Sequence, residues 1–381
     1  MTDPVFEFVL PQTPRRSLLA LGGDLKCRPA VTRGNRLLML DEIGDLASPE
    51  RQDALETLMD GQAVEAVVCD KHPDYFSTNL AHRLADEKRV PLVEVQHHRA
   101  HVAAVCVEHG LFDELVVGLA FDGTGFGDDG TAWGGEFFTG SVAAGFARRA
   151  YFATLPLPGG DAAVRRPWRI ALALLIERQT PPEIIQAWLA RNRIEVGDLA
   201  LFEKALANKL AVGRSSALGR WFDAVAALLG IRTVAQFEAQ PAIELQQTAE
   251  KNFAEISRGL WPYELRPGDP LIIDFPTLPD IAAAPVEQSP SLAVEFHHAI
   301  ARATAEVAAR LAKDIGTDIV IASGGCFLNK LFDRLLVARL AAAGLRCVKP
   351  VRLPPGDQAL ALGQIGLALY HAQAVNGGRG E

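Results

Sequence analysis

Cysteine is scarce in this 381-residue chain: Cys27, Cys69, Cys106, Cys326 and Cys347 are its five, and no two form a Cys-x-x-Cys pair. That spacing argues against a cysteine zinc cluster. Most of the five sit in apolar runs and read as small core residues. Their odd number, with an N-terminus that lacks the basic-then-apolar order of a leader, sets the expectation of a reducing cytoplasm. No apolar run approaches the roughly 18–20 residues that cross a bilayer, so no membrane partner is expected. Basic residues are outnumbered, 38 Lys and Arg against 46 Asp and Glu, a net charge of −8 that disfavours a nucleic-acid surface. Aromatics make up only 7%, but 49% of residues are hydrophobic, enough for a large core and incompatible with global disorder. The abundance of Gly, Ala, Leu and Val suits an α/β protein with closely packed helices. The length suits two or three domains, or two lobes of one enzyme.

The order of elements repeats. Leu18–Leu21 reads as a buried strand ending at Gly22-Gly23-Asp24, and Arg28–Thr32 and Leu37–Leu40 read as a hairpin about Gly34-Asn35. A helix over Pro49–Met59, a strand Ala66–Cys69 ending at Asp70, a helix near Ser77–Lys88 and a strand Leu92–Val95 follow. The pattern restarts at Leu115–Phe121, which ends in Asp122-Gly123-Thr124-Gly125. Strands Trp133–Thr139 and Ser141–Ala150 come next, then a mostly helical stretch between Gly160 and Trp261. Asp269–Pro290 reads as a loop. Helix Ser291–Ala312, strand Asp318–Ala322, helix Asn329–Ala343, strand Arg346–Val348 and a helix after Asp357 complete the second copy. The duplicated βββαβα order predicts two lobes about a cleft, of the actin/hexokinase/Hsp70-like (ASKHA) kind. The expected division is an N-terminal extension over 1–14, a first lobe over 15–112, and a second lobe over 113–381 with a helical insertion at about 160–262.

His97 and His101 open a helical run four residues apart, which puts both imidazoles on one face within reach of one cation. Two imidazoles do not complete a site, and Asp122 and Asp357, each beside a Gly-rich turn, are the candidate oxygen ligands. Histidine with carboxylate suits Fe, Zn or Mn, and Mg can enter with nucleotide phosphates. The run Phe121 to Glu136 carries six glycines, a density that lets backbone amides approach an anion closely. The turns Gly22-Gly23-Asp24, Gly123-Thr124 and Gly324-Gly325, with Asn329 at the next helix start, are candidate contacts for an adenine nucleotide such as ATP or AMP. His98 is a candidate base, and Lys26 and His72, just beyond strand ends, are candidate phosphate contacts.

These stretches resemble one family. His97-His98-Arg99-Ala100-His101, Phe121 to Glu136 and Ser323-Gly324-Gly325-Cys326-Phe327-Leu328-Asn329 are similar to the C-terminal part of HypF, the carbamoyltransferase family that matures nickel–iron hydrogenases. Asp70-Lys71-His72-Pro73-Asp74-Tyr75-Phe76-Ser77-Thr78, Leu157 to Ala163, Phe222-Asp223-Ala224-Val225-Ala226 and Pro354-Pro355-Gly356-Asp357 match as well, so the resemblance runs from about residue 15 to 370. It implies the ASKHA fold shared with the tRNA threonylcarbamoyl transferase TsaD. It implies His97, His101 and Asp357 as metal ligands, Asp122 as an added one, and Gly324-Gly325 as the adenosine turn. It also implies transfer of a carbamoyl group from carbamoyl-adenylate, derived from carbamoyl phosphate and ATP, to the C-terminal cysteine of HypE. Only about 15 residues precede the first strand, so a separate protein is expected to form the adenylate. Arg165-Arg166-Pro167 departs from the family, which has an acidic residue before that proline. The alternatives are an O-carbamoyltransferase for a small hydroxyl compound and a non-catalytic nucleotide-binding partner of HypE.

Overall fold

Alternating and continuous apolar runs that end at glycine or a carboxylate build the first sheet. The structure, a computed structural model, describes residues 6–197, 199–208, 212–253, 259 and 261–374. In the first lobe, strands β1 (Phe6–Val9), β2 (Leu18–Ala20), β3 (Ala30–Arg33) and β4 (Arg36–Met39) are followed by helix α1 (Pro49–Asp60), strand β5 (Ala66–Asp70), helix α2 (Phe76–Lys88), strand β6 (Leu92–Val95) and helix α3 (His97–Glu108). The sheet order is β1-β4-β3-β2-β5-β6. The hairpin side is antiparallel and β2-β5-β6 is parallel. Leu55 and Met59 of α1 and Leu80 and Leu84 of α2 cover one face, against Leu19, Val31 and Val67.

The second lobe repeats this order. Strands β7 (Val116–Phe121), β8 (Gly135–Ser141) and β9 (Gly145–Phe152) form its antiparallel side. A ribbon of β10 (Leu155–Pro158) and β11 (Val212–Ser215) brackets helices α4 (Asp161–Arg165), α5 (Trp168–Glu177), α6 (Pro182–Arg191) and α7 (Leu199–Ala207). Helices α8 (Leu218–Leu228) and α9 (Gln240–Lys251) lead to β12 (Glu264–Arg266), β13 (Leu271–Asp274), α10 (Leu278–Ala283) and the long α11 (Ser289–Ile315). Strand β14 (Ile319–Ser323), helix α12 (Lys330–Ala342), strand β15 (Arg346–Val348) and helix α13 (Leu360–Ala374) complete the chain's described part. The order β12-β13-β9-β8-β7-β14-β15 contains β9-β8-β7-β14-β15, which matches β4-β3-β2-β5-β6 of the first lobe strand for strand. The fold is the two-lobed α/β architecture expected.

Three differences from the sequence reading bear on the fold, besides helix α10, which lies within the expected loop Asp269–Pro290. Phe6–Val9, within the expected N-terminal extension, is an edge strand paired with β4, held there because Phe8 is buried. Leu271–Asp274, within an expected loop, is a strand parallel to β9. Its three-residue apolar run, Leu271-Ile272-Ile273, is hidden in sequence by the prolines around it, and Ile273 is buried. The third difference concerns the lobe boundary. Helix α13, at the end of the second lobe in sequence, packs on β2, β3, β4, β5 and β6 of the first. Helix α3, at the end of the first lobe, packs on β7, β8 and β14 of the second, and α3 and α13 pack on each other. The lobes therefore exchange a helix across the cleft.

Small residues permit that crossing. A Cβ on Gly363 would lie 1.9 Å from the Ala100 carbonyl oxygen, and one on Gly366 would lie 2.4 Å from a Val107 methyl. Between the two glycines, the buried Gln364 amide clasps Gly22, accepting from its N–H at 3.0 Å and donating to its carbonyl at 3.1 Å. Gly363→Ala forces the two helices apart, and urea unfolding should show a loss of about 1–3 kcal/mol; an unchanged midpoint would show that the crossing is looser than described.

Candidate metal and nucleotide site

The helix exchange delivers two imidazoles to the cleft. Gln96 starts α3 by accepting the Arg99 N–H on its side chain, and one turn carries both His97 and His101 into the space between the sheets, where each is almost wholly buried. Asp122 arrives from the end of β7 and Asp357 from the turn before α13. One donor atom from each of His97, His101, Asp122 and Asp357 lies within 4.8 Å of the others. His101 Nε2 is 3.1 Å from Asp122 Oδ2 and 3.4 Å from Asp357 Oδ1, and His97 Nε2 is 3.9 Å from Asp357 Oδ1. None of the Nε2 atoms, nor Asp122 Oδ2, has the alignment of a hydrogen bond, although all are buried. Orphaned buried polar atoms are costly, and these three, joined by an Asp357 oxygen, converge from three elements and fit the coordination of one divalent cation.

The opposite ring nitrogens are fixed. His97 Nδ1 donates to Asp70 Oδ2 at 2.7 Å, and His101 Nδ1 lies 3.5 Å from Ser323 Oγ. The Asp70 carboxylate puts the His97 proton on Nδ1, and the Ser323 hydroxyl, which donates to the Pro355 carbonyl at 3.4 Å, is left to accept from His101 Nδ1, so each Nε2 is the ligand atom. Asp122 spends Oδ1 on the Gly123 N–H at 2.7 Å and keeps Oδ2 free. Burial opposes charge on His97, but Asp70 and then Asp357 outweigh it and raise its pKa. Burial likewise opposes charge on His101, and Asp122 and Asp357 outweigh it, taking it up to about 10. Burial favours the neutral Asp122 acid, yet His101 and His97 hold its carboxyl below the ordinary range. The imidazoles and carboxylates thus favour one another's charged forms.

A cavity of about 360 Å³ opens from Asp122 and Asp357. Gly123, Thr124, Gly325, Asn329 and Lys26 line it, and Phe222, Ala242, Ile243 and Leu328 give it apolar wall. Its volume falls in the range of small-ligand sites. Arg220 and Asp223 also line it, paired at 2.8 Å. Asp223 Oδ1 and Arg220 Nε are buried without partners, and burial, against the opposing Arg220 charge, raises the Asp223 pKa. Gly325 must lack a side chain because a Cβ there would meet Asp122 Oδ1 at 3.0 Å. Gly324, at φ +106°, would press a Cβ to 2.2 Å from the Phe121 carbonyl.

A family model for the HypF Kae1-like domain matches residues 13–108, and one for the second subdomain of the carbamoyltransferase Kae1-like domain matches 118–364. The chain belongs to the HypF family. It is 41% identical to the carbamoyltransferase HypF homolog of Cupriavidus necator, covering 94% of this chain and 93% of that one. To carbamoyltransferase HypF2 of the same organism it is 36% identical over 93% of this chain and 47% of the relative. A crystal structure of full-length HypF in its phosphate- and nucleotide-bound form superposes with a TM-score of 0.85 at 30% identity, over 98% of this chain and 57% of that one. The chain thus spans about half the length of these two larger HypF proteins.

Within this HypF-family site, several sequence assignments move. Gly22, Gly23, Asp24 and Gly324 do not line the cavity. The Asp24 carboxylate accepts the N–H groups of Phe76 and Ser77 at 2.8 and 2.9 Å, so it caps α2. Gly22 is held by Gln364, and a Cβ on Gly23 would meet Leu360 at 3.0 Å. Asn329 does line the cavity, but its amide is engaged: it accepts from Phe332 N–H at 3.0 Å and donates to His297 Nε2 at 3.1 Å. His98 does not fit the role of a base. Burial, with His97 and His101 adding to it, pushes its pKa well down, and the Gln96 amide donates to Nδ1 at 3.2 Å, leaving Nε2 to carry the proton. A side chain on Gly125 would strike His98 at 2.4 Å and His97 at 2.8 Å. His72 stacks on Tyr75 at 4.1 Å, outside the cavity lining. Arg165 and Arg166 are exposed. Sequence reasoning missed Asp70 and Ser323 as the histidines' partners, and Arg220 and Asp223 as cavity groups. A polar residue ending a parallel strand is the available signal for the first pair.

His101→Ala should remove divalent metal binding at the cleft site while leaving the unfolding midpoint within a few degrees, as read by calorimetry and thermal melting. Asp70→Asn should weaken that binding about 10–100-fold; unchanged affinity would mean His97 Nδ1 does not set the ligand geometry. His297 gives a pH test. Burial pushes its pKa down to about 4, so it stays neutral in the folded protein and gains a proton on unfolding below about 6.5. Stability therefore falls as pH drops from 6.5 to 4, by about 3 kcal/mol more than in His297→Gln. Parallel urea curves for the two proteins across that window would contradict the assignment.

Proposed function

We propose that this cavity catalyses transfer of a carbamoyl group from carbamoyl-adenylate to the C-terminal cysteine thiol of HypE, in the reducing cytoplasm, as a step toward the cyanide ligand of a nickel–iron hydrogenase. The observation that carries this reading is the convergence of His97, His101, Asp122 and Asp357 beside a nucleotide-sized cavity in a HypF-family chain. A divalent metal held by these four side chains, Fe, Zn, Mn or Mg, supplies Lewis-acid polarisation of the acyl or phosphoryl oxygen. The adenine takes the apolar wall of Phe222, Ile243 and Leu328. Asp223 Oδ1 accepts from ribose hydroxyls, and Lys26 and Thr124 meet the phosphate. The thiol sulfur bonds to the carbamoyl carbon, the bond from that carbon to the phosphate oxygen breaks, AMP leaves, and the thiol proton passes to solvent. Formation of the adenylate from carbamoyl phosphate and ATP is assigned, within this proposal, to a separate protein.

Purified chain, supplied carbamoyl-adenylate and the HypE C-terminal peptide should give AMP and a thiocarboxamide detectable by mass spectrometry. His101→Ala should give neither. Transfer to hydroxyl acceptors alone would replace HypE with a small-molecule substrate, and full carbamoylation from carbamoyl phosphate and ATP without a second enzyme would remove the division of labour. For the binding half, AMP titrated calorimetrically should bind about tenfold more weakly to Asp223→Asn, the loss of a hydrogen bond to a charged group, and more weakly to Gly325→Val.

A further inference from the structure

A second set of metal-ligating side chains meets on the outer flank of the first lobe, away from the cleft. Cys69 on β5 and Glu94 on β6 are registered neighbours in adjacent parallel strands, so both side chains leave the same face of the sheet. Helix α2 covers that face through Leu80, Ala81, Leu84 and Ala85. His82 projects from the helix flank and brings Nε2 to 3.1 Å from Glu94 Oε1. One donor atom from each of Cys69, His82 and Glu94 lies within 4.8 Å of the other two. Strand β6 ends its sheet, so His82 and Glu94 face solvent while Cys69 is fully buried beneath them.

We propose that Cys69, His82 and Glu94 form a second divalent-metal site, of the zinc type, with water in the fourth position. One sulfur, one imidazole nitrogen and one carboxylate oxygen are the three donor types zinc takes, and three protein ligands plus water is a known tetrahedral arrangement. An ion pair between His82 and Glu94 does not call for a thiol at the same point, whereas a cation does. Burial, with Glu94 and Asp70 adding to it, pushes the free Cys69 thiol up to about 12. Metal binding releases that thiol proton to solvent and leaves the thiolate as ligand. The site would pin α2 and β6 to β5, whose next residue, Asp70, holds His97.

Cobalt(II) is the probe. Thiolate–cobalt charge transfer absorbs in the near ultraviolet, and the cleft set contains no sulfur, so the band reports the outer site alone. Titration of the full chain should produce the band, and His101→Ala should keep it. Cys69→Ser should lose it. His82→Ala and Glu94→Gln, both at solvent-facing positions that leave the core intact, should weaken the cobalt affinity read from it by about tenfold or more. No band at saturating cobalt, a band that persists in Cys69→Ser, or unchanged affinity in both His82→Ala and Glu94→Gln would overturn the proposal.

Discussion

Burying two imidazoles between two sheets is the constraint on which this molecule turns. A histidine without partners in such a place is expensive, and here each ring is held at Nδ1 by the last residue of a strand: Asp70 ends β5 and Ser323 ends β14. Those two strands hold equivalent places in the two lobes. The duplicated fold thus grips the histidine helix from both sides with one device used twice, a carboxylate in one lobe and a hydroxyl in the other. The Nε2 atoms, freed by these contacts, face Asp122 and Asp357.

That cluster needs α3 inside the cleft, and the helix exchange is what puts it there. α3 leaves the first sheet to lie on the second, and α13 returns from the second to lie on the first. Gly363 and Gly366 let the two helices approach closely, and Gln364 ties α13 to the first glycine turn. The glycines near Asp122 serve a related end. Gly125 clears space for His97 and His98, and Gly325 clears space beside Asp122. Much of the Gly-rich sequence is therefore explained by close packing around the histidines as well as by access for a ligand.

The cavity wall combines charge with apolar surface: Asp122 and Asp357, the Arg220–Asp223 pair, and Phe222, Ile243 and Leu328 all line it. Such a lining suits a molecule that carries both an apolar ring and an anionic group. The outer flank of the first lobe carries a separate donor set, and Cys69-Asp70 joins it to the cleft through consecutive residues.

The residue types and spacings were enough to determine that two similar lobes would form, that His97 and His101 would share a helix face, and that Asp122 and Asp357 would stand beside glycine turns. Local periodicity and short-range spacing carry that information. Other features were settled only by the packed molecule. Asp24 caps a helix more than fifty residues away, Gln96 fixes the tautomer of His98, Asp70 and Ser323 hold the histidines, and Phe6–Val9 and α13 belong to the first lobe. Each is a contact between residues far apart in sequence or a choice between two ring nitrogens. Such choices depend on which groups burial leaves without water, and only the tertiary structure decides that.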